Sequence, residues 1–218
     1  MQNYVAFFDL DRTILSDTSG KMLGLLAYQH GLFRNRDLLL SLVFAIGYKA
    51  GLVDGSIMLK QMIHWLKGKS VLELDDFAKN HFDSAATNTI RKDASQEIQL
   101  HKKQNGRTVL LTASVPFLTN AVVDKLKMDD SICTELEIID GRYSGNPVGA
   151  FCYGDEKKHR AIEYCASHNF SIEDAYYYAD SMADFPLLNL VGNPVCITPE
   201  RKLAKEAEKR GWPVYQWK

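Results

Sequence analysis

The stretch Tyr4-Val5-Ala6-Phe7-Phe8-Asp9-Leu10-Asp11-Arg12-Thr13 constrains this chain more than any other. A run of strand-forming residues near the start ends in Asp9 and Asp11, with a short polar turn behind them. Side chains two apart on a strand point to the same face, so the spacing predicts both carboxylates aimed at one spot. Like charges that close are unfavourable unless one holds a proton or a cation sits between them. Packing alone seldom tolerates such a pair, so it reads as a chemical site.

After this strand, residues from about 17 to 86 contain no convincing strand. The periodicity predicts helices over Ser19–His30, Asp37–Ala50, Ser56–Leu66 and Val71–Phe82, broken at Gly31, at Gly51 with Asp54-Gly55, and at Gly68. A longer helix is predicted over Asn88–Gln104, stopped by Asn105-Gly106. From there the pattern alternates. Strands are expected at Thr108–Thr112, Ile132–Ile139, Ala175–Ala179, Pro194–Ile197 and Pro213–Tyr215, with a hairpin or turn region at Gly141–Gly149. Helices are expected at Pro116–Lys127, Lys157–His168, Ala183–Leu190 and Pro199–Arg210. Alternating apolar strands and amphipathic helices imply an α/β, Rossmann-like fold, a mostly parallel sheet with helices on both faces. The implied division is an α/β core of residues 1–15 and 87–218, interrupted by an all-helical unit over 16–86.

Composition narrows the function classes. With 26 Lys and Arg against 27 Asp and Glu, the formal net charge is −1, which argues against nucleic acid as the main partner. The four cysteines, Cys133, Cys152, Cys165 and Cys196, are scattered without a C-x-x-C pair or neighbouring histidines, so neither a zinc site nor a disulfide framework is expected. Thiols of that kind suit a reducing cytoplasm, and the N-terminus lacks the basic and apolar regions of a signal peptide. The longest apolar run, Leu38–Ile46, is too short to span a bilayer, and membrane association is not expected. With Phe33, Tyr48 and Leu52 it reads first as the core of a helix bundle. The alternatives are a pocket for an apolar substrate tail or a face that touches a membrane surface.

Ligands of open α/β sheets bind beyond the carboxyl ends of the strands. Three polar clusters fall there: Asp9 with Asp11, Thr112 with Ser114, and Asp180 with Asp184. Taken in order they form D-x-D-x-T (Asp9, Asp11, Thr13), an apolar strand ending in Thr112, a lysine opening a helix, and D-S-x-x-D (Asp180, Ser181, Asp184). In this the chain resembles the haloacid dehalogenase superfamily of phosphohydrolases, and within it the phosphoserine-phosphatase-type branch, subfamily IB. The resemblance covers the whole chain, because residues 16–86 stand where that branch carries a helical cap.

The resemblance implies a Mg²⁺-dependent phosphomonoesterase acting on a small phosphorylated metabolite, as a monomer or homodimer. Asp9 would attack phosphorus to give an aspartyl-phosphate, and Asp11 would serve the leaving group and the water as acid and base. The implied metal ligands are Asp9, the backbone carbonyl of Asp11, and Asp180. Asp184 is either an outer ligand or the partner that orients the lysine. Thr112 and the amide of Ala113 would bind the phosphoryl oxygens. Lys157 and Lys158 are adjacent, and the stripe Ala161, Ile162, Cys165 and Ala166 favours Lys158, with Lys157 as the alternative. Ser16-Asp17-Thr18 stands where phosphoserine phosphatases usually place a Glu that holds the substrate amine, which argues against phosphoserine. Asp17 and Thr18 are candidates for the entrance or for capping the first helix. Two other readings share the site, a phosphotransferase and a phosphatase of lipid phosphates.

Overall fold

The computed structural model describes residues 3–33, 35–82 and 87–218. Its strands are β1 (Tyr4–Phe8), β2 (Gly106–Leu111), β3 (Asp130–Ile132), β4 (Leu136–Ile139), β5 (Arg142–Pro147), β6 (Tyr176–Ala179), β7 (Asn193–Ile197) and β8 (Val214–Tyr215). Six of them form one parallel sheet in the order β3-β2-β1-β6-β7-β8. A parallel sheet is covered on both faces, so its strands read as continuous apolar runs. Val5 to Phe8 and Val109 to Leu111 are buried accordingly. The pleat sends Ala6, Phe8, Leu110 and Tyr178 to one core and Val5, Phe7, Val109 and Tyr177 to the other. The chain leaves β1 towards β2 on one side and later returns to β6 on the other. That reversal puts the crevice of the sheet at the carboxyl ends of β1 and β6.

The helices are α1 (Ser19–Gln29), α2 (Asn35–Lys49), α3 (Gly55–His64), α4 (Val71–Phe77, prolonged by a wide turn over Ala78–Phe82), α5 (Lys92–Lys103), α6 (Pro116–Leu126), α7 (Asp155–His168), α8 (Phe185–Leu188) and α9 (Arg201–Arg210). The insert that holds α1 to α4 leaves and rejoins the sheet at a narrow neck. Leu15 bridges Ile90 antiparallel, Ser16 N donates to Thr89 O at 2.8 Å, and Arg91 N donates to Ile14 O at 2.9 Å. That neck corrects the expected start of α5, because Asn88 and Thr89 form a turn and Ile90 is bridged to Leu15 before the helix can begin. The expected end of the insert, at residue 86, lies outside the described residues.

Two further expectations change. The single strand foreseen over Ile132–Ile139 is split: β3 belongs to the main sheet, while β4 pairs antiparallel with β5 in a separate hairpin. Thr134 makes the break. Its buried hydroxyl donates to Ala113 O at 2.9 Å and accepts from Cys152 N at 3.1 Å, which anchors the backbone away from a strand path. The hairpin then reaches the insert, where Gly68 N donates to Tyr143 O at 2.8 Å and Tyr143 N donates to Lys69 O at 3.0 Å. The apolar run of α2 is not bundle core either: Leu39, Leu40, Leu42, Val43 and Ile46 are all exposed. The insert's buried residues come instead from α1, α3, α4 and the segments after α1 and α3, through Met22, Leu23, Phe33, Ile63, Leu66, Leu74 and Phe77. The side chains of Leu38 and Tyr48 lie outside the described residues.

Gly192, which leads into β7, has no room for a side chain, because a Cβ there would lie 1.7 Å from Glu173 O. Backbone cannot yield as a flexible side chain does. Gly192→Ala is expected to destabilise the fold by about 2 kcal/mol or more, read from denaturant unfolding.

Candidate active site

Strand β1 stops at Phe8, and Asp9 follows it in extended conformation, with its N–H donating to Tyr178 O at 2.9 Å. The backbone then makes one wide turn over Leu10–Ile14, in which Arg12 takes the left-handed conformation at φ 61°. This corrects the premise that Asp9 and Asp11 share a strand face. Asp11 lies in the turn, and its Oδ1 accepts from Ser19 N, the first residue of α1, at 2.7 Å. The turn therefore sends one carboxylate into the sheet crevice and the other to the first inserted helix.

In the crevice, Lys157 Nζ donates to Asp9 Oδ1 at 2.6 Å and to Asp184 Oδ1 at 2.7 Å. All three side chains are buried. Lys158 instead points outward to Asp155 at 3.2 Å, so the preference for it is corrected in favour of Lys157. The stripe argument failed because the buried face of α7 is Lys157, Ala161, Tyr164 and Cys165, while Ile162 is exposed. Tyr164 completes that face, with its ring buried and its hydroxyl reaching Asp130 Oδ2 at 3.0 Å. Tyr177 belongs to the cluster too and was not foreseen. Its hydroxyl donates to Asp184 Oδ1 at 2.5 Å and accepts from Lys157 Nζ at 3.2 Å. Only its inward place on β6 marks it; no motif does. Ser181 Oγ donates to Asp184 Oδ2 at 2.8 Å, so Asp184 already accepts three hydrogen bonds. Such a carboxylate fits the orienting role better than that of a metal ligand.

Thr112 is buried directly after β2, with its Oγ1 accepting from Ser114 N at 3.1 Å. Ala113 follows it, with its carbonyl held by Thr134. Asp17 and Thr18 are not brought into the cluster. The Asp17 carboxylate is taken by Lys21 Nζ at 2.5 Å and by Thr18 N at 2.9 Å, and Thr18 sits at the N-cap of α1 without a side-chain capping bond.

The charges do not balance within the protein. One carboxylate oxygen each from Asp9, Asp180 and Asp184 lie within 4.8 Å of one another, with Lys157 as the ammonium hydrogen-bonded into the group among the described residues. Burial pushes the Asp180 carboxyl up to about 8, and the Asp9 and Asp184 carboxylates add to the rise. Asp9 is raised by burial as well, against the pull of Lys157. Burial alone would discharge Lys157, but Asp184 and Asp9 outweigh it and hold the ammonium well above its ordinary range. An all-oxygen donor set with excess negative charge suits a hard divalent cation such as Mg²⁺.

Residues 6–189 match the family of haloacid dehalogenase-like hydrolases. The chain belongs to that family. A probable phosphatase of Mycobacterium tuberculosis (strain ATCC 25618 / H37Rv) is 29% identical over 212 residues, covering 96% of this chain and 74% of its relative. The histidinol-phosphatase of Neisseria meningitidis serogroup C is 28% identical over 219 residues, covering 98% and 99%. A solved protein of unknown function from Bordetella pertussis Tohama I shares the fold, with a TM-score of 0.90, 24% identity and 99% of each chain covered. This member of the family is a hydrolase.

The raised Asp180 carboxyl makes metal-free stability depend on pH. Between the ordinary carboxylate value and about 8 the folded state keeps a proton that the unfolded chain has lost, so stability falls as pH rises through that window. With chelator present, the unfolding midpoint is expected to be higher at pH 5 than at pH 8, and Asp180→Asn to flatten the difference. Added Mg²⁺ should raise the midpoint more at pH 8, as thermal scans would show.

Proposed function

We propose that this protein is a Mg²⁺-dependent phosphatase of a small phosphorylated metabolite, working through an aspartyl-phosphate on Asp9. The observation that carries the reading is the buried lysine that ties Asp9 to Asp184 at the strand-order reversal of the sheet. Phosphoryl transfer asks little covalent chemistry of a protein and a great deal of positioning and charge neutralisation. Asp9 and Asp180, with the Asp11 carbonyl, are the groups that would hold Mg²⁺. Bound there, the ion would supply charge neutralisation for the phosphoryl oxygens.

A carboxylate oxygen of Asp9 attacks phosphorus as the ester oxygen departs. Asp11 gives its proton to that oxygen, then takes one from the water that hydrolyses the intermediate. Burial raises the Asp11 carboxyl, though Ser19 N tempers the rise, and a raised carboxyl is suited to donating a proton near neutrality. Lys157 fixes Asp9 and offers positive charge to the phosphoryl group, while Asp184, Tyr177 and Ser181 fix Lys157. Thr112 Oγ1 and the Ala113 amide bind phosphoryl oxygens.

We read residues 16–86 as a cap over this crevice. The contact of Asp11 with the first residue of α1 supports that reading, as does the hydrogen bond from Ser19 Oγ to Ser114 Oγ at 3.2 Å. A cap that seats α1 on both contacts excludes water when closed and releases product when open. The histidinol-phosphatase likeness supports a small polar phosphomonoester as substrate, and the free thiols of Cys133, Cys152, Cys165 and Cys196 suit a reducing cytoplasm.

Phosphate release from a panel of sugar, amino-alcohol, nucleotide and lysolipid phosphomonoesters, with Mg²⁺ and with chelator, tests the reading. Metal-dependent turnover is expected, and its absence across the panel would refute the proposed reaction. Asp9→Asn should fold normally and keep less than about one thousandth of the activity. Lys157→Gln should lose roughly 10²-fold or more, while Lys158→Gln stays within about twofold, because an exposed ion pair contributes little.

A further inference from the structure

Helix α2 presents an apolar stripe to solvent where a surface helix ordinarily presents a polar one. Leu39, Leu42, Val43 and Ile46 recur at i, i+3, i+4 and i+7, which is one face of a helix. They are 63%, 56%, 56% and 58% exposed. The loop after α2 extends the patch. Leu52 N donates to Gly47 O at 2.9 Å, and the Val53 side chain closes over Gly47, which leaves Leu52 84% exposed beside the stripe. Ile57 on α3 is also exposed. Scattered exposed aliphatics need no explanation, but a contiguous patch of this size marks an interaction surface.

Charge identifies the occupant. Residues 31–70 hold six Lys and Arg against two Asp and Glu, for a net +4, whereas the rest of the chain carries a net −5. We propose that this face of the insert docks on the surface of an anionic lipid bilayer. A second copy of the chain fits less well, because a self-complementary contact would bring two net-positive segments together. Crossing the bilayer is a different matter, and no described helix is long and apolar enough for it. The 15 residues of α2 span about 22 Å, against a hydrocarbon core of about 30 Å. The helix therefore lies in the plane of the interface, with its aliphatic stripe among the acyl chains. The proposal is independent of the chemistry assigned to the crevice.

Sedimentation of the full chain with sucrose-loaded vesicles tests it. Vesicles of phosphatidylcholine with 30% phosphatidylglycerol are compared with pure phosphatidylcholine, at low and high salt. At least tenfold stronger partitioning onto the anionic vesicles is expected, falling as salt screens the attraction. The variant Leu39→Ser, Leu42→Ser, Val43→Ser, Ile46→Ser should lose that partitioning at least tenfold. Its turnover of the soluble ester p-nitrophenyl phosphate, or its circular dichroism if the wild type does not turn that ester over, should stay at the wild-type level. If the fourfold variant misfolds, Leu42→Ser with Leu52→Ser is expected to reduce binding at least threefold with the fold retained. Equal partitioning onto both vesicle types, or binding that the substitutions leave unchanged, overturns the proposal. A concentration-dependent dimer by light scattering that the substitutions abolish, without vesicle binding, overturns it in favour of self-association.

Discussion

Three carboxylates and one ammonium buried in a single crevice set the terms for the rest of the molecule. Removing such charges from water is costly, and breaking one buried ion pair typically costs about 3–5 kcal/mol because the survivor is left uncompensated. Lys157 offsets much of that cost by contacting Asp9 and Asp184 together, and Tyr177 and Ser181 complete the shell of Asp184. Asp180 has no such hydrogen-bonded cation among the described residues, and burial raises its carboxyl. The site is thus strained towards binding positive charge, whether as a proton or as a cation. A group that needs charge to be stable is well prepared to receive a metal and a phosphate together.

The backbone that carries these groups is held from the opposite face of the sheet. Phe8 stacks on Tyr178 with ring centroids 4.5 Å apart, and Tyr178 O receives the Asp9 N–H. The Tyr178 hydroxyl donates to Glu97 Oε1 at 2.7 Å and meets His101 Nε2 at 2.7 Å, while His101 Nδ1 meets the Tyr4 hydroxyl at 2.9 Å. Burial lowers the His101 pKa, which favours a neutral imidazole between two phenols. A satisfied polar network of this kind fixes one arrangement of α5 against β1 and β6. The neighbouring strand residues, Tyr177 and Tyr178, point to opposite faces and so serve the crevice and its support separately.

The wide turn after β1 has a comparable double use. It lets a strand that must end in the crevice continue at once into the insert, and it carries Asp11 from one to the other. The β4–β5 hairpin meets the insert from the core side, through backbone bonds at Gly68, Lys69 and Tyr143. The insert is therefore gripped at its neck and along one flank. The stripe of α2 stands apart from those contacts, facing solvent.

Local pattern made much of this legible in the sequence. Apolar runs ending in Asp9, Thr112 and Asp180 identify buried parallel strands with polar ends, because strand burial and strand termination are both encoded within a few residues. The helix order followed from periodicity and from Gly and Asn stops for the same reason. What the sequence could not decide were choices between neighbours a few ångströms apart. Whether Lys157 or Lys158 enters the crevice depends on the rotation of α7, which Tyr164 sets by burying its ring and still reaching Asp130. The relation of Asp9 to Asp11 depends on a turn that ends the strand one residue before the first of them. Tyr177 joins the cluster only because β6 pairs with β1 in a register that points it inward. The fate of the apolar run in α2 also required the packed structure, since periodicity reveals that a face is apolar but not whether another element covers it. The sequence alone thus determined the buried strands that end in Asp9, Thr112 and Asp180, the order of the motifs and the residue types the chemistry needs. Tertiary packing decided which of those residues meet and which apolar face stays open, because both depend on contacts between segments far apart in the chain.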